Sequence, residues 1–236
     1  KHIPYSINEV YLDWQYIDPR DKTQVLIGVC PKEIVDNYQE VLTNSDLVPC
    51  SLEIEAVTLA RSIFSFKEKL TEPVMVLDLG ARRTGLFIYA HNVIPFTISL
   101  SFSSDGLTEI IRKQLKITSK EAEKVKRSLG LNSSKAEGYS EKLIAPEIKK
   151  IAKKIREANY FYQEHFKTQK SIKKLYLTGG GSQMPNLDTF LTKETKMKVH
   201  LTNPLTNVSL DKVKLPENQV ASYATAIGLA LRNLNT

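Results

Sequence analysis

The stretch KKLYLTGGGSQMPNL, Lys173–Leu187, runs alternating apolar residues into three consecutive glycines, then a serine and a proline. The alternation reads as a strand ending near Thr178, and Met184–Glu194 as the helix that follows. Gly179, Gly180 and Gly181 permit backbone conformations and close approaches that a Cβ forbids. Gly179 to Ser182 would then present bare backbone to a flat ligand or a phosphate, at the positive end of the next helix. A tight turn without a ligand is the competing reading. Three adjacent glycines carry a large entropic cost, which argues that something lies close against them.

Two further segments suit the same kind of ligand. In VLDLGARRTGLFIY, Val76–Tyr89, Asp78 stands at the end of an apolar strand, Gly80 permits close approach, and Thr84 brings a hydroxyl as the chain turns back. A carboxylate there can hold water on a magnesium ion, and glycine and hydroxyl groups can approach phosphate oxygens. Asp and Gly are also ordinary turn formers, so this hairpin alone is weak evidence. In EAEKVK, Glu121–Lys126, Glu123 and Lys126 share one helical face and can hold a ribose hydroxyl and lie along a base. Such a pair more often only stabilises an exposed helix.

Around these segments the periodicities predict strands at Glu9–Asp18 and Thr23–Cys30, a helix after Pro31, and a returning strand at Val48–Val57. A helix over Thr58–Lys69 leads to a boundary at Glu72–Pro73. Strands are expected at Val74–Gly80, from Gly85 and over Val93–Phe102, then helices over Asp105–Lys116 and Thr118–Gly130, each opened by a capping residue. A polar loop, Leu131–Ser140, precedes a long helix from about Pro146 to Phe166. Its Ile148, Ile151 and Ile155 extend an apolar stripe from Ile144, while Lys149, Lys150, Lys153, Lys154 and Arg156 make a basic, solvated face. A short strand at Lys198–Thr202 and a helix over Ala221–Leu234 close the pattern.

The formal charge is +7, from 33 Lys and Arg against 26 Asp and Glu, without a dominating block of one sign. A nucleotide, an acidic partner or an anionic membrane surface each suit it. The basic helix has no interleaved aromatics and no surrounding DNA-binding motif, so nucleic acid is not expected. Cys30 and Cys50 are too few for a disulfide framework and are expected as buried reduced thiols. The four histidines lack ligand spacing, so no structural zinc is expected. No apolar run reaches the length of a membrane span and no signal peptide is seen. The chain begins at Lys1 in mid-pattern and is read as the remainder of a longer protein.

The order of the motifs is more specific than any one of them. A hairpin with D-x-G-A-x-x-T, a helix with A-E-x-x-K, then strand-G-G-G-S-x-x-P-x-L and a closing A-x-G helix resembles the second half of the actin and heat-shock chaperone ATPase superfamily. Within it the chain resembles the PilM family of type IV pilus assembly, relatives of the cell-division protein FtsA. KHIPYSINEVYLDWQ, SLEIEAVTLARS, LDLGARRT, LTEIIRKQLKITSKEAEKVK, NPLTNV and ASYATAIGLALRNL carry the likeness over nearly the whole chain. The family's D-x-G-A phosphate turn matches Asp78 to Ala81. Its usual paired glycines before the next helix are replaced here by Ser103 and Ser104.

The resemblance implies an α/β, actin-like (ribonuclease H-like) fold with a small α+β inserted subdomain and its N-terminal part missing. Residues 1–50 would be the remainder of subdomain 1C and 51–72 the return into subdomain 1A. Residues 73–103 would be subdomain 2A with the phosphate hairpin, 104–172 helical subdomain 2B, 173–215 subdomain 2A with the adenosine motif, and 216–236 the connecting helix to domain I. ATP and magnesium would be bound by Asp78, Gly80, Ala81, Thr84, Glu123, Lys126, Gly179, Gly180, Gly181 and Ser182, with Asp78 on the metal side. The family's first phosphate loop would lie upstream of Lys1.

The implied role is a cytoplasmic scaffold, peripheral to the inner membrane, with little or no ATP turnover and no catalytic residue assigned. It would bind the N-terminal peptide of PilN and contact other platform and motor proteins, with homo-oligomerisation left open. Trp14, Tyr16, Val25 and Ile27 would line the PilN groove, although residues of this kind are more often core. An ATPase or sugar kinase of the same fold is the alternative in another class, and it would need a second carboxylate. An FtsA-like filament ranks third, because such proteins carry a C-terminal amphipathic membrane helix.

Overall fold

The computed structural model describes residues 4–18, 21–67, 70–132, 138–166, 171–209 and 215–232. A 3-10 turn, Ile7–Glu9, leads into β1 (Val10–Asp18), which pairs antiparallel with β2 (Asp21–Pro31). Pro31 stands at the N-cap of α1 (Lys32–Thr43), which lies on one face of this hairpin through the Tyr11 hydroxyl donating to Asp36 at 3.0 Å. The expected turn at Pro19 and Arg20 lies outside the described residues.

The opposite face of the hairpin corrects the expectation of core residues there. Trp14 pairs with Ile27 and Tyr16 with Val25, so all four side chains share that face. Trp14 is 55% exposed, Val25 45% and Ile27 49%, and Leu12 beside them 43%. The segment Val48–Ile54 forms neither helix nor strand, against the strand expected there. Ile54 instead sits over Gly28, where an added Cβ would meet its Cδ1 at 3.2 Å. Cys50 is accordingly exposed and Cys30 half-buried, so neither is the buried thiol expected.

The helix expected from Thr58 begins earlier and ends earlier, as α2 (Glu55–Ile63), because Ala56, Leu59, Ala60 and Ile63 form its buried stripe. Asn207 ends it: its amide donates to the carbonyls of Arg61 and Phe64 at 3.0 and 2.7 Å, while the Phe66 N–H donates to its oxygen.

A five-stranded sheet follows, in the order β5-β4-β3-β6-β7. β3 (Val74–Leu79), β4 (Thr84–Ala90) and β5 (Val93–Leu100) form an antiparallel meander. The chain then builds α3 (Ser104–Leu115), α4 (Ser119–Leu129), a π-helical turn at Ser140–Ile144 and the long α5 (Ala145–His165). β6 (Lys174–Thr178) returns parallel to β3, α6 (Leu187–Thr195) crosses over, and β7 (Lys198–Leu201) pairs parallel with β6. The polar loop over 133–137 lies outside the described residues.

β3 is buried along its whole length, so its alternating side chains divide two cores. Met75, Leu77 and Leu79 join α3, α5 and α6, where Ile144, Ile148, Ile151 and Ile155 are all buried as the stripe predicted. Each such isoleucine contributes roughly 1.5–3 kcal/mol of burial energy. Val74 and Val76 join Phe87 and the α2 side. The basic face of α5 is solvated as expected, with Lys150 paired to Glu147 and Lys154 to Glu157.

The closing helix is shorter than expected. Glu217–Tyr223 is a 3-10 helix, and only α7 (Ala224–Ala230) is α-helical. α7 packs on α2 through Gly228, where an added Cβ would overlap the Thr58 carbonyl. Arg61 fastens the same junction, donating to the Gly228 carbonyl at 2.8 Å and to both oxygens of Glu53 at 2.7 and 2.8 Å. Arg232 also pairs with Glu53. Gly228→Ala is expected to push α7 off α2 and cost about 1–3 kcal/mol. Urea denaturation measures it, and an unchanged midpoint and slope would contradict this packing.

Candidate functional site

β3 ends with Asp78 and Leu79, and alternation sends their side chains to opposite faces. Asp78 shares the α2 face with Val76 and lies directly beside Thr178 of the parallel β6. It is 8% exposed, and its carboxyl is pushed up from 3.8 to about 7, first by burial and then by the negative charge of Glu55 at the start of α2. Glu55 is thus a second carboxylate whose charge bears on Asp78, although its side chain is exposed and accepts from the Thr225 hydroxyl at 3.3 Å. The Thr178 hydroxyl is buried with no hydrogen-bond partner. A buried, unpaired hydroxyl beside a carboxylate that burial disfavours is a place suited to a cation or a polar ligand.

The hairpin tip is a tight turn, with the Gly80 N–H donating to the Arg83 carbonyl at 3.0 Å. An added Cβ on Gly80 would sit 2.7 Å from that carbonyl oxygen, so only glycine fits. Ala81, Arg82 and Arg83 are exposed at the tip. Thr84 is buried with its hydroxyl unpaired, but its register on β4 puts it on the face of Leu86 and Ile88, across the sheet from Asp78. Its side chain therefore does not join the Asp78 carboxylate.

The glycine run answers differently from the sequence expectation. Gly179 has φ of +79°, and Gly180–Gln183 form a 3-10 turn instead of the first turn of a helix. α6 begins only at Leu187, so the glycines do not lie at its N-terminus. At Gly179 an added Cβ would collide with Asp78 Oδ1 and lie 2.7 Å from the Leu79 carbonyl oxygen; at Gly181 it would lie 2.9 Å from that oxygen. At Gly180 it would meet Ser222 Oγ at 3.0 Å. The close approach that demands glycine is thus made by β3's own end. Ser182 is buried and donates its hydroxyl to the Gly179 carbonyl at 2.7 Å, holding the turn closed.

Lys126 is 5% exposed, far from the solvated partner of an ordinary surface pair. Its Nζ lies 2.7 Å from Glu123 Oε2, 2.7 Å from Ser104 Oγ, 3.0 Å from the Ser104 carbonyl oxygen and 2.8 Å from Thr108 Oγ1. Burial alone would raise the Glu123 carboxyl, but the bonds from Lys126, Thr108 and Arg127 outweigh it and hold it down at about 2. Ser103 is the cap of α3, accepting from the Gly106 N–H at 3.0 Å. The cap falls two residues before Asp105, where the sequence pattern put the start of the helix.

These segments converge. Leu79 from the end of β3, Gly181 from the glycine turn, and Ser104 and Lys126 from α3 and α4 line, with Phe102, Leu107, Ile148 and Met184, one small and largely apolar cleft of about 20 Å3 on the Leu79 face of the sheet, room for about one water molecule. Glu55 and Thr178 were not singled out in the sequence, whereas Ser104 stood out only as a replacement for a family glycine. Thr178 was legible as the last strand residue before the glycines, whereas the charge of Glu55 bears on Asp78 only through the fold.

Asp78 also sets a pH dependence. Its folded pKa lies above the ordinary value, so its contribution favours the fold at low pH and is lost as pH rises from about 4 to about 7. Asp78→Asn should therefore stabilise the ligand-free protein at pH 8 by up to about 4 kcal/mol, with the difference closing near pH 4. Urea denaturation across that range tests it; a variant no more stable than wild type at pH 8 would refute the buried carboxylate.

Comparison with known proteins gives this geometry its setting. The chain is similar to a protein in a solved structure of the PilM–PilN type IV pilus biogenesis complex, at 26% identity and a TM-score of 0.78, covering 98% of this chain and 68% of that one. It also matches the ethanolamine utilization protein EutJ from Carboxydothermus hydrogenoformans, at 19% identity and TM-score 0.61, covering 86% of this chain and 62% of that one. A third match is MreB5 of Spiroplasma citri bound to AMPPNP, at 16% identity and TM-score 0.62, covering 86% of this chain and 65% of that one. The chain thus spans about two thirds of the length of these relatives, and the last two likenesses show the actin-like fold alone. The family model for the type IV pilus assembly protein PilM matches residues 1–234, and the chain belongs to that family, an actin-like branch of the type IV pilus assembly machinery.

Proposed function

We propose that this protein is a nucleotide-binding scaffold of the pilus platform that takes up ATP with magnesium and holds the N-terminal peptide of PilN. The observation that carries the nucleotide reading is that the end of β3 is flanked on both faces by polar groups: Ser104 and Lys126 near Leu79 and Gly181 on one face, and the buried Asp78 beside the unpaired Thr178 hydroxyl on the other. A magnesium ion would relieve the repulsion between the two carboxylates and neutralise phosphate charge. Asp78 would hold its hydration water, the Gly80–Ala81 turn would face the phosphates, and Glu123 with Lys126 would mark the adenosine end. A relative of the same fold, MreB5 of Spiroplasma citri, is described bound to AMPPNP and to ADP.

The PilN reading rests on the 26% identical relative seen in a PilM–PilN complex and on the uncovered apolar face of β1 and β2. Trp14 and Tyr16 stand edge to face at 5.3 Å, a rigid aromatic anchor of the kind that dominates peptide docking. We place the protein in the cytoplasm beside the inner membrane; no helix among the described residues is long and apolar enough to cross one. Other platform and motor proteins and self-association belong to the same proposal.

Titration calorimetry of magnesium-ATP should show binding in the wild type and none in Asp78→Ala. Trp14 is the chain's only tryptophan, so its fluorescence should shift to the blue as a PilN N-terminal peptide covers it. Ile27→Asp should weaken that peptide by about tenfold or more. An unshifted spectrum at saturating peptide would remove PilN from this face.

One observation favours a second reading. Glu55, whose charge bears on Asp78, would supply the second carboxylate that a phosphotransferase or ATPase requires. Steady ATP turnover abolished by Glu55→Gln with binding retained would move the protein to that class.

A further inference from the structure

The two ends of the site are joined by a chain of hydrogen bonds that passes through Ser104. The Gly80 carbonyl accepts from the Ser104 N–H at 3.1 Å, and the Ala81 carbonyl from the Asp105 N–H at 2.9 Å. The first turn of α3 thus grips the hairpin tip by its backbone, and with Gly106 capped by Ser103 these donors are spent inside the protein. On its other side Ser104 receives Lys126 twice, at its carbonyl and at its hydroxyl. Lys126 is in turn paired with Glu123. The hydroxyl contact depends on this chain's own residue: a glycine at 104 would leave the buried ammonium with one acceptor fewer.

We propose that Ser104 is a positioning residue that couples the Glu123–Lys126 pair to the Gly80–Ala81 turn, so that the adenosine end of the site sets the placement of the phosphate end. This rests on the nucleotide reading above. If a ligand competes for Glu123 or Lys126, the ammonium redistributes among its remaining acceptors, of which Ser104 supplies two. Any shift of Ser104 is carried directly to Gly80, because the same residue donates the N–H that fixes that carbonyl. The contact is charge-assisted and shielded from water, which makes it strong enough to transmit a bias.

The test compares full-length wild type with Ser104→Ala, Ser104→Thr and Lys126→Met. Affinities for magnesium-ATP and for AMP are measured by calorimetry, and amide hydrogen exchange is followed at residues 104 and 105. Ser104→Ala should lose about tenfold of the preference for ATP over AMP, and Ser104→Thr should restore it. In the Lys126→Met background Ser104→Ala should have no further effect on that ratio. Without nucleotide, both Ser104→Ala and Lys126→Met should speed exchange at 104 and 105 while β3 and α5 keep their protection, which separates local release from misfolding. Equal losses for ATP and AMP, additive effects in the double variant, or unchanged exchange would overturn the coupling. Binding of neither nucleotide by wild type would overturn the nucleotide reading itself and the coupling with it.

Discussion

The contact between the Gly179–Gly181 turn and the last two residues of β3 is the constraint on which the site depends. Backbone meets backbone there, and any side chain at Gly179 or Gly181 would push β6 away from β3. The parallel pairing that sets Thr178 beside Asp78 would go with it. That contact also brings the glycine turn against Leu79, and so against α3 and α4, which line a small cleft on the same face of the sheet, opposite to Asp78. The cost of three glycines in conformational entropy is offset by the two cores that β3 separates.

Asp78 follows from the same geometry. A strand buried on both faces leaves its last polar residue with little water, and the start of α2 adds the negative charge of Glu55. The result is a carboxylate pushed toward its neutral form by burial and by the local negative charge. Stability is given up at this point, as is common where a site is prepared for a ligand. The hairpin of β1 and β2 shows the opposite economy. Its inner face is tied to α1, and its outer face keeps a tryptophan and branched aliphatics in water, an arrangement that favours a partner there.

Much of the candidate site was legible because its residues announce themselves locally. Asp78 and Gly80 follow an apolar strand, the glycines end another, and Glu123 and Lys126 share a helical face by spacing alone. The role of each was less legible. Ser182 turns inward to its own turn, Thr84 falls on the far face of the sheet, and Lys126 is buried instead of surface-paired. The start of α6 at Leu187 also removed the helix terminus that the pattern had placed at the glycines.

The sequence by itself determined the strand and helix periods, the isoleucine stripe of α5, the order of the motifs and, through that order, the family and fold class. These are properties of neighbours three, four or two residues apart, which spacing records directly. Only the tertiary structure decided that the charge of Glu55 bears on Asp78, that Ser104 joins Lys126 to Gly80, and that Trp14 and Ile27 stay uncovered. Each of those depends on elements far apart in the chain meeting or failing to meet, and side-chain burial is settled by what packs against it and not by the residue's own hydropathy.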